Sequence, residues 1–448
     1  MRRLAWFAGP LGLLFVVGIG AMAGPARALE IIGRGLAILC GVGTVLGIAY
    51  TILALGLIRP FFARRPRATQ DFPAVTVLKP LHGDERDLLR RLSSFCLQDY
   101  PSPVQFVFGT RDAADPALGA VAALRRLHPE ADITVVTDAQ VHGPNLKVSN
   151  LINMLPSARH DVLIFADSDV EVDSRYLRHL VGELQAPGVG AVTCLYRGLP
   201  APGFWPRLSA NASNYQFLPS AITGVTLGLA QPCFGQTIGM QRETLDRIGG
   251  LRPYATCLAE DHAIGAAVRR SVGRVVIPPL TVGHACAETS FGQLLAHELR
   301  WGRTIRVVDP VGHLGSVLIH PFALGLLTVL FSGGAWLSWT LAAAALLVRL
   351  ALKRRTDAVL ELSDRALWLL PPGDVVAFSL FVASLFSGRV RWRGTDFTVD
   401  RSGRLSPLPA KTWFPFLTPP GPLAPDAAAS RGRSPKKTVG PNAPSSAI

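Results

Sequence analysis

Apolar positions along the chain fall into two textures. Leu4 to Gly24, Gly35 to Ile58, Gly315 to Phe331 and Ala335 to Leu350 are nearly uncharged runs, each close to the roughly 20 residues that cross a bilayer core. Between them, apolar and polar stretches alternate on the scale of single elements. Apolar "VTVLKPL" precedes the helical pattern "ERDLLRRLSSFCLQ", "VQFVFGT" precedes "PALGAVAALRRLHP", and "DITVVTD" precedes "KVSNLINMLPSAR", after which comes "DVLIFADSD". Short strands with no polar face, each followed by a helical period, predict βαβ units and a mainly parallel sheet.

The next stretch is less regular. "GAVTCLYRG" reads as one more strand, "RETLDRIGG" as a short helix stopped by glycines, and "LAEDHAIGAAVRRSVG" as a helix opening on an acidic pair. Ser290 to Arg306 has amphipathic helical spacing. Beyond Thr356, "DAVLELSDRALWLL" predicts a helix lying in the membrane interface, and "DVVAFSLFVASLF" is short for a span. The expected organisation is two membrane helices in residues 1–59, an α/β domain in 71–311, a membrane hairpin in 312–352, interfacial or re-entrant helices in 353–400, and a disordered Pro-, Ala- and Ser-rich tail in 417–448.

Charge orients this layout. Arg59, Arg64, Arg65 and Arg67 crowd the exit of the second run, and Arg349, Lys353, Arg354 and Arg355 crowd the end of the hairpin. Both clusters belong on the cytoplasmic side of an inner (cell) membrane, and the α/β domain with them. The start "MRRLAWFAGPLGLLFVVGIGAMAGPARALE" also has the basic end, apolar centre and small-residue site of a signal peptide; cleaved or not, the following run stays in the bilayer. The net charge of +14 is largely accounted for by juxtamembrane arginines suited to anionic lipid, so the bilayer is an expected partner and nucleic acid is not. Six cysteines without a Cys-x-x-Cys pair read as reduced thiols.

Candidate chemistry sits at predicted strand ends, where α/β sheets bind ligands. Asp167 and Asp169, one residue apart past "VLIFA", suit a hard divalent cation shared with phosphate oxygens, or else a solvated turn. Glu171 and Asp173 read as the turn and cap before the helix starting near Ser174. Asp112, past "VQFVFGT", can accept hydrogen bonds from a nucleobase or ribose, whereas Asp115 reads as a helix cap. Asp261, after Glu260, is a candidate general base for a hydroxyl, or a first-turn acid favoured by the helix dipole. In "HELRW", Arg300 suits diphosphate oxygens and Trp301 a sugar or lipid face, with His297 one turn earlier; the alternative is an interfacial anchor.

Taken in order and between apolar runs, Asp112, Asp167-Ser168-Asp169, Asp261 and "HELRW" resemble the D, D, D, (Q/R)-x-x-R-W series of inverting membrane glycosyltransferases with a GT-A fold. "VTVLKPLHGDE", "SFCLQDYPSPVQFVFGTRDAADPA", "NLKVSNLINM", "FADSD" and "LAEDHAIG" resemble glycosyltransferase family 21, the ceramide glucosyltransferase-like enzymes. "VTCLYRG" and "HELRWGRTIR" look closest to its bacterial branch associated with hopanoid biosynthesis. The likeness covers about Asp71 to Pro310 plus "RWRGTDF". It implies a GT-A α/β domain, mainly parallel, between membrane helices. It also implies that Asp112, Lys147, Asp167, His297, Arg300 and Trp301 bind the nucleotide-sugar, that Asp167 and Asp169 hold Mg²⁺ or Mn²⁺, and that Asp261 is the base. His297 departs from the usual Gln or Arg. The expected activity is transfer of one hexose from a UDP-sugar to a membrane lipid hydroxyl, of a ceramide or a hopanoid polyol, giving a glycolipid. A processive polysaccharide synthase would predict more membrane helices and Gln at 297; a non-catalytic scaffold with a degenerate domain is disfavoured because all three acid positions are filled.

Overall fold

A computed structural model describes residues 25–65, 67, 69–362, 366–386, 389–392, 395–399 and 404–407. The first apolar run, Leu4 to Gly24, and the tail 417–448 lie outside the described residues. Ten strands build two sheets in the α/β region: β1 Val75–Pro80, β2 Val104–Thr110, β3 Asp132–Thr137, β4 Val162–Ala166, β5 Val170–Glu171, β6 Val189–Thr193, β7 Leu195–Pro200, β8 Thr237–Gln241, β9 Arg274–Val276 and β10 Thr281–Cys286. The larger sheet has the order β3-β2-β1-β4-β8-β6-β9, and the smaller one β5-β10-β7.

Pairings β3–β2, β2–β1, β1–β4 and β6–β9 are parallel, so the sheet is mainly parallel as expected. The exception is β8, antiparallel to both β4 and β6. Its sequence "TIGMQ" is short and carries a glycine at its centre, which hides the strand. Gly239 is required there because a Cβ would collide with the Leu180 side chain. "GAVTCLYRG" is not one strand: β6 and β7 separate at Cys194 and belong to different sheets. Thr193 marks the break, with its hydroxyl bonded to both the N–H and the carbonyl of Phe234.

The central strands are apolar on both faces because both faces are covered. On one side Val75, Val77, Phe106, Phe108, Val162 and Ile164 pack with Leu92, Phe95, Tyr176 and Leu180 of the helices Leu88–Cys96 and Tyr176–Leu184. On the other, Leu78, Val107, Leu163 and Phe165 meet Val148, Leu151 and Met154 of the helix Leu146–Met154 and Ile264 and Val268 of the helix Glu260–Ser271. Each such fully buried side chain contributes about 1.5–3 kcal/mol. The strand order turns back between β1 and β4, which opens a crevice at their carboxyl ends.

Three described helices are long and apolar enough to cross a membrane: Ala26–Phe62, Trp336–Leu360 and Leu367–Ser384. The pair Pro310–Ile319 and Pro321–Phe331 meets the same criterion together, bent by 71° at the break before Pro321. Leu367–Ser384 is thus longer than the "DVVAFSLFVASLF" pattern suggested, because the 3₁₀ turn Leu367–Leu369 extends it at its start. "DAVLELSDRALWLL" is no separate interfacial helix. Asp357 to Leu360 ends the helix Trp336–Leu360, which stops at Glu361 in left-handed backbone, φ 55°. The last part of 353–400, expected to be helical, forms the strands β11 Arg389–Trp392 and β12 Thr395–Val399, joined by β13 Leu405–Pro407 in an antiparallel sheet.

Residues 201–236, without a clear period in the sequence, fold as helix Phe204–Ala212, π-turn Ser213–Phe217 and helix Leu218–Thr226. This segment fastens the apolar helices to the α/β domain. Ala54, Ile58 and Phe61 from the first helix, Leu352 from Trp336–Leu360, and Leu195, Leu218, Ile222 and Ile277 share one core. Arg349 Nε and Nη2 donate to Asp374 at 2.8 and 2.7 Å, and Arg349 Nη1 donates to the Tyr215 carbonyl at 2.6 Å. Lys353 Nζ donates to the Tyr215 hydroxyl at 2.6 Å, which donates to Asp357 Oδ1 at 2.6 Å. From the π-turn, Asn214 brackets Gly198 of β7 with two hydrogen bonds, and Phe217 stacks on Tyr196 at 4.2 Å.

Candidate active site

A cavity of about 1760 Å³ opens at the carboxyl ends of β1, β2 and β4 and runs to the helix Phe291–Val308. Asp112, Lys147, Asp167, Asp169, Asp261, His297, Arg300 and Trp301 all line it. The first five meet there because each follows a buried strand or opens a helix beside the crevice, and the last three because the helix Phe291–Val308 runs along it.

The Asp167–Asp169 turn is held rigidly from beneath. Lys79 Nζ donates to the Asp167 carbonyl at 2.6 Å, Arg91 Nε to the Ser168 carbonyl at 3.2 Å, and Ser168 Oγ to Glu85 Oε1 at 2.5 Å. The Ala285 N–H donates to the Asp169 carbonyl at 3.0 Å, tying the turn to β10. Both carboxylates are therefore fixed at the cavity wall. Glu171 does not belong to the turn: it lies in β5 and pairs with Arg90 at 2.9 Å, whereas Asp173 Oδ1 accepts from the Arg175 N–H as expected of a turn acid.

Lys147, in the first turn of the helix Leu146–Met154, sits between acids. Its Nζ is 2.6 Å from Asp167 Oδ1 and 3.0 Å from Glu260 Oε1. Burial alone would lower the ammonium's pKa, but Asp167 and Glu260 hold it above the usual lysine range. Asp169 Oδ2 lies 3.2 Å from His284 Nδ1 on β10. Burial raises the Asp169 carboxyl, yet His284 and then Lys79 outweigh it and hold it well below the usual carboxylate range.

Asp169 Oδ1 is buried without a hydrogen-bond partner, a lone acceptor oxygen that a cation would satisfy. Among the described residues, no three His, Cys, Asp or Glu side chains form a ready-made metal cage. Two carboxylates completed by diphosphate oxygens and water suit Mg²⁺ or Mn²⁺, so the residues present fit such an ion.

Asp261 lies in the first turn of Glu260–Ser271. Oδ2 accepts from the Gly235 N–H at 2.9 Å and Oδ1 from the His262 N–H at 2.7 Å. A Cβ at Gly235 would stand only 3.1 Å from Asp261 Oδ2, so a side chain there would press on that carboxylate. Burial, and next the Glu260 charge, push the Asp261 carboxyl up to about 7. That value suits a group that accepts a proton near neutral pH.

On the opposite wall, Trp301 packs edge-on to His297 at 4.6 Å and to Tyr196 at 5.7 Å. The Arg300 guanidinium makes no hydrogen bond among the described residues, and burial lowers its pKa against the pull of Glu260, Asp169 and Asp167. A cation so placed is available to an anion in the cavity. Asp112 Oδ1 caps its own turn through the Ala114 N–H at 2.9 Å. The buried Asp115 accepts from Gly83 and from Ala117 in the first turn of the next helix, which matches its reading as a cap.

Sequence reasoning missed Lys79, Glu260 as the partner of Lys147, His284, and Glu288, whose carboxylate lies 2.5 Å from His297. Only Glu260 left a signal, as half of an acidic pair. His284 lies in the middle of a short strand whose place depends on pairing with β5 and β7.

The family model described as Glycosyl transferase family 21 matches residues 39–405. Among individual proteins, the chain is similar to Ceramide glucosyltransferase 1 of Caenorhabditis elegans, 23% identical over 44% of this chain and 42% of that one. It is also similar to Ceramide glucosyltransferase 3 of the same organism, 21% identical over 80% of this chain and 79% of that one. The match to the first of these spans less than half of its length. Among solved structures, the mannosyltransferase PcManGT from Pyrobaculum calidifontis, in complex with GDP-Man and Mn²⁺, is 20% identical, covering 80% of this chain and 99% of that one, with a TM-score of 0.45.

Proposed function

This chain belongs to glycosyl transferase family 21, and from that premise we propose that it transfers a single hexose, with inversion, from a UDP-sugar to the hydroxyl of a membrane lipid. The acceptor would be a ceramide or a hopanoid polyol, and the α/β domain would face the cytoplasm at the inner membrane, where the arginines flanking the apolar helices favour it. The observation that carries this reading is the gathering of the acidic turn, the raised carboxyl of Asp261, and Arg300 with Trp301 in one cavity.

Asp112 and Lys147, which line the same cavity, would bind the donor, Lys147 from its place beside the acidic turn. Asp167 and Asp169 would hold a divalent cation, which when bound neutralises charge on the diphosphate. Asp261 takes the proton of the acceptor hydroxyl as its oxygen attacks the anomeric carbon in line. The bond from that carbon to the diphosphate oxygen breaks, and UDP leaves with the electron pair. Arg300, which makes no hydrogen bond among the described residues, pairs with the departing diphosphate. Trp301, backed by the buried Tyr196, offers an aromatic face to the sugar or the lipid.

Mass spectrometry of lipids from cells expressing the chain tests this directly. A hexosylated lipid that appears with the intact protein and vanishes with Asp261→Asn is the expected result. Undiminished glycolipid in the variant removes Asp261 as the base, and no new glycolipid at all removes the lipid acceptor.

A further inference from the structure

Two side chains of the helix Phe291–Val308, one helical turn apart on the cavity wall, are each gripped from behind by one of their two polar ends. Gln293 Oε1 accepts from the Thr289 N–H at 2.8 Å and from the Thr289 hydroxyl at 3.1 Å. An N–H can only donate, which fixes the oxygen of the amide at Thr289 and leaves Nε2 as the outer, donating group. His297 Nδ1 lies 2.5 Å from Oε1 of the buried Glu288. Burial raises the Glu288 carboxyl, but the His297 bond holds it below its ordinary value, so it remains an acceptor. In the neutral ring the hydrogen belongs on Nδ1, facing the carboxylate, which leaves the lone pair on Nε2. Neither outer nitrogen has a hydrogen-bond partner among the described residues.

The wall thus presents one donor and one acceptor side by side, and a hydroxyl answers both: it accepts from Gln293 and donates to His297. A diphosphate does not, since its oxygens meet a lone pair at His297 backed by a carboxylate. The reacting hydroxyl already has Asp261 on another wall. We propose that Gln293 and His297 bind a second hydroxyl of the acceptor, with Thr289 positioning Gln293 and Glu288 positioning His297, so that the enzyme selects lipids with a diol or polyol head over mono-alcohols. This rests on the lipid-acceptor reading above.

The test uses the full-length protein in lipid nanodiscs, UDP-glucose and UDP-N-acetylglucosamine as donors, and hexadecane-1,2-diol against hexadecan-1-ol as acceptor probes. Glu288→Gln keeps the side-chain shape but lets Nδ1 accept, moving the ring hydrogen to Nε2; Gln293→Leu removes the donor independently. The readout is the ratio of kcat/KM for diol over mono-alcohol, which a purely structural fault would not change. Donor binding by calorimetry reports that each variant is folded. The expected result is a wild-type preference for the diol of about tenfold or more, falling about tenfold in each variant, the worth of one hydrogen bond. No preference in the wild type, or an unchanged ratio in both variants, overturns the subsite. Donor binding without transfer to either probe overturns the lipid-acceptor reading, and the subsite with it.

Discussion

Lys147 and Asp167 form an ion pair at 2.6 Å that joins the start of one helix to the end of β4, and Glu260 closes on the same ammonium at 3.0 Å. One cation therefore neutralises two largely buried acids. Lys147→Met is expected to destabilise the protein by about 1–3 kcal/mol, because it leaves two like charges facing each other. Adding Glu260→Gln should return most of that loss. Thermal unfolding of the detergent-solubilised protein reads both, and additive losses in the double variant would refute the shared-cation arrangement.

The raised carboxyl of Asp261, about 7, sets a pH dependence whose sign is fixed. Transfer requires the ionised form and so should increase as pH rises through about 7, with Glu260→Gln moving that limb to lower pH. Stability runs the other way. With an unfolded value of about 3.9, the raised folded value gives a contribution that is full below about pH 4 and lost as pH rises through 7. Asp261→Asn is expected to lose about 10²–10⁴ in rate and yet to unfold at a higher temperature than the wild type at pH 8. A flat pH–rate profile between 5.5 and 8 would exclude the base role.

Chelation is expected to stop transfer, and Mg²⁺ or Mn²⁺ to restore it. Asp169→Asn should raise the cation concentration needed for half-maximal activity by about tenfold or more, since Asp169 carries the unpartnered buried oxygen. The same shift should appear in Mn²⁺ binding followed by electron paramagnetic resonance, without turnover. Activity indifferent to EDTA would rule the cation out.

The Arg349–Asp374 pair, with both side chains 2% exposed, is the other ionic contact whose loss should be costly. Asp374→Leu alone leaves a buried guanidinium and is expected to cost about 3–5 kcal/mol, whereas Arg349→Met with Asp374→Leu should recover much of it. Unfolding midpoints in one detergent decide this; a double variant whose loss is the sum of the two single losses would mean that the charges act separately.

Much of the fold was legible because its central strands are apolar on both faces and their helices are strictly periodic. The strand-end acids could be found for the same reason: the apolar pattern stops at Thr110 and Ala166, and polar residues succeed it at once. Periodicity fails where structure depends on partners far along the chain. β8 inserts between β4 and β6 with a glycine where a core residue would be expected, and β10 is placed by its pairing with β5 and β7. His284 and Glu288, placed by that pairing, were invisible for that reason. The π-turn escaped because a widened turn shifts the period that would have revealed the helices on either side.

The core shared by Ile58, Phe61, Leu195, Leu218, Ile222 and Leu352 makes the long apolar helices part of the α/β domain's tertiary structure. No cut between the apolar helices and the α/β domain leaves two well-packed surfaces, so a water-soluble excised domain would expose the strip that holds β7 and the π-turn in place. A shift of those helices therefore also bears on Phe217 and Tyr196, whose stacked rings border the cavity.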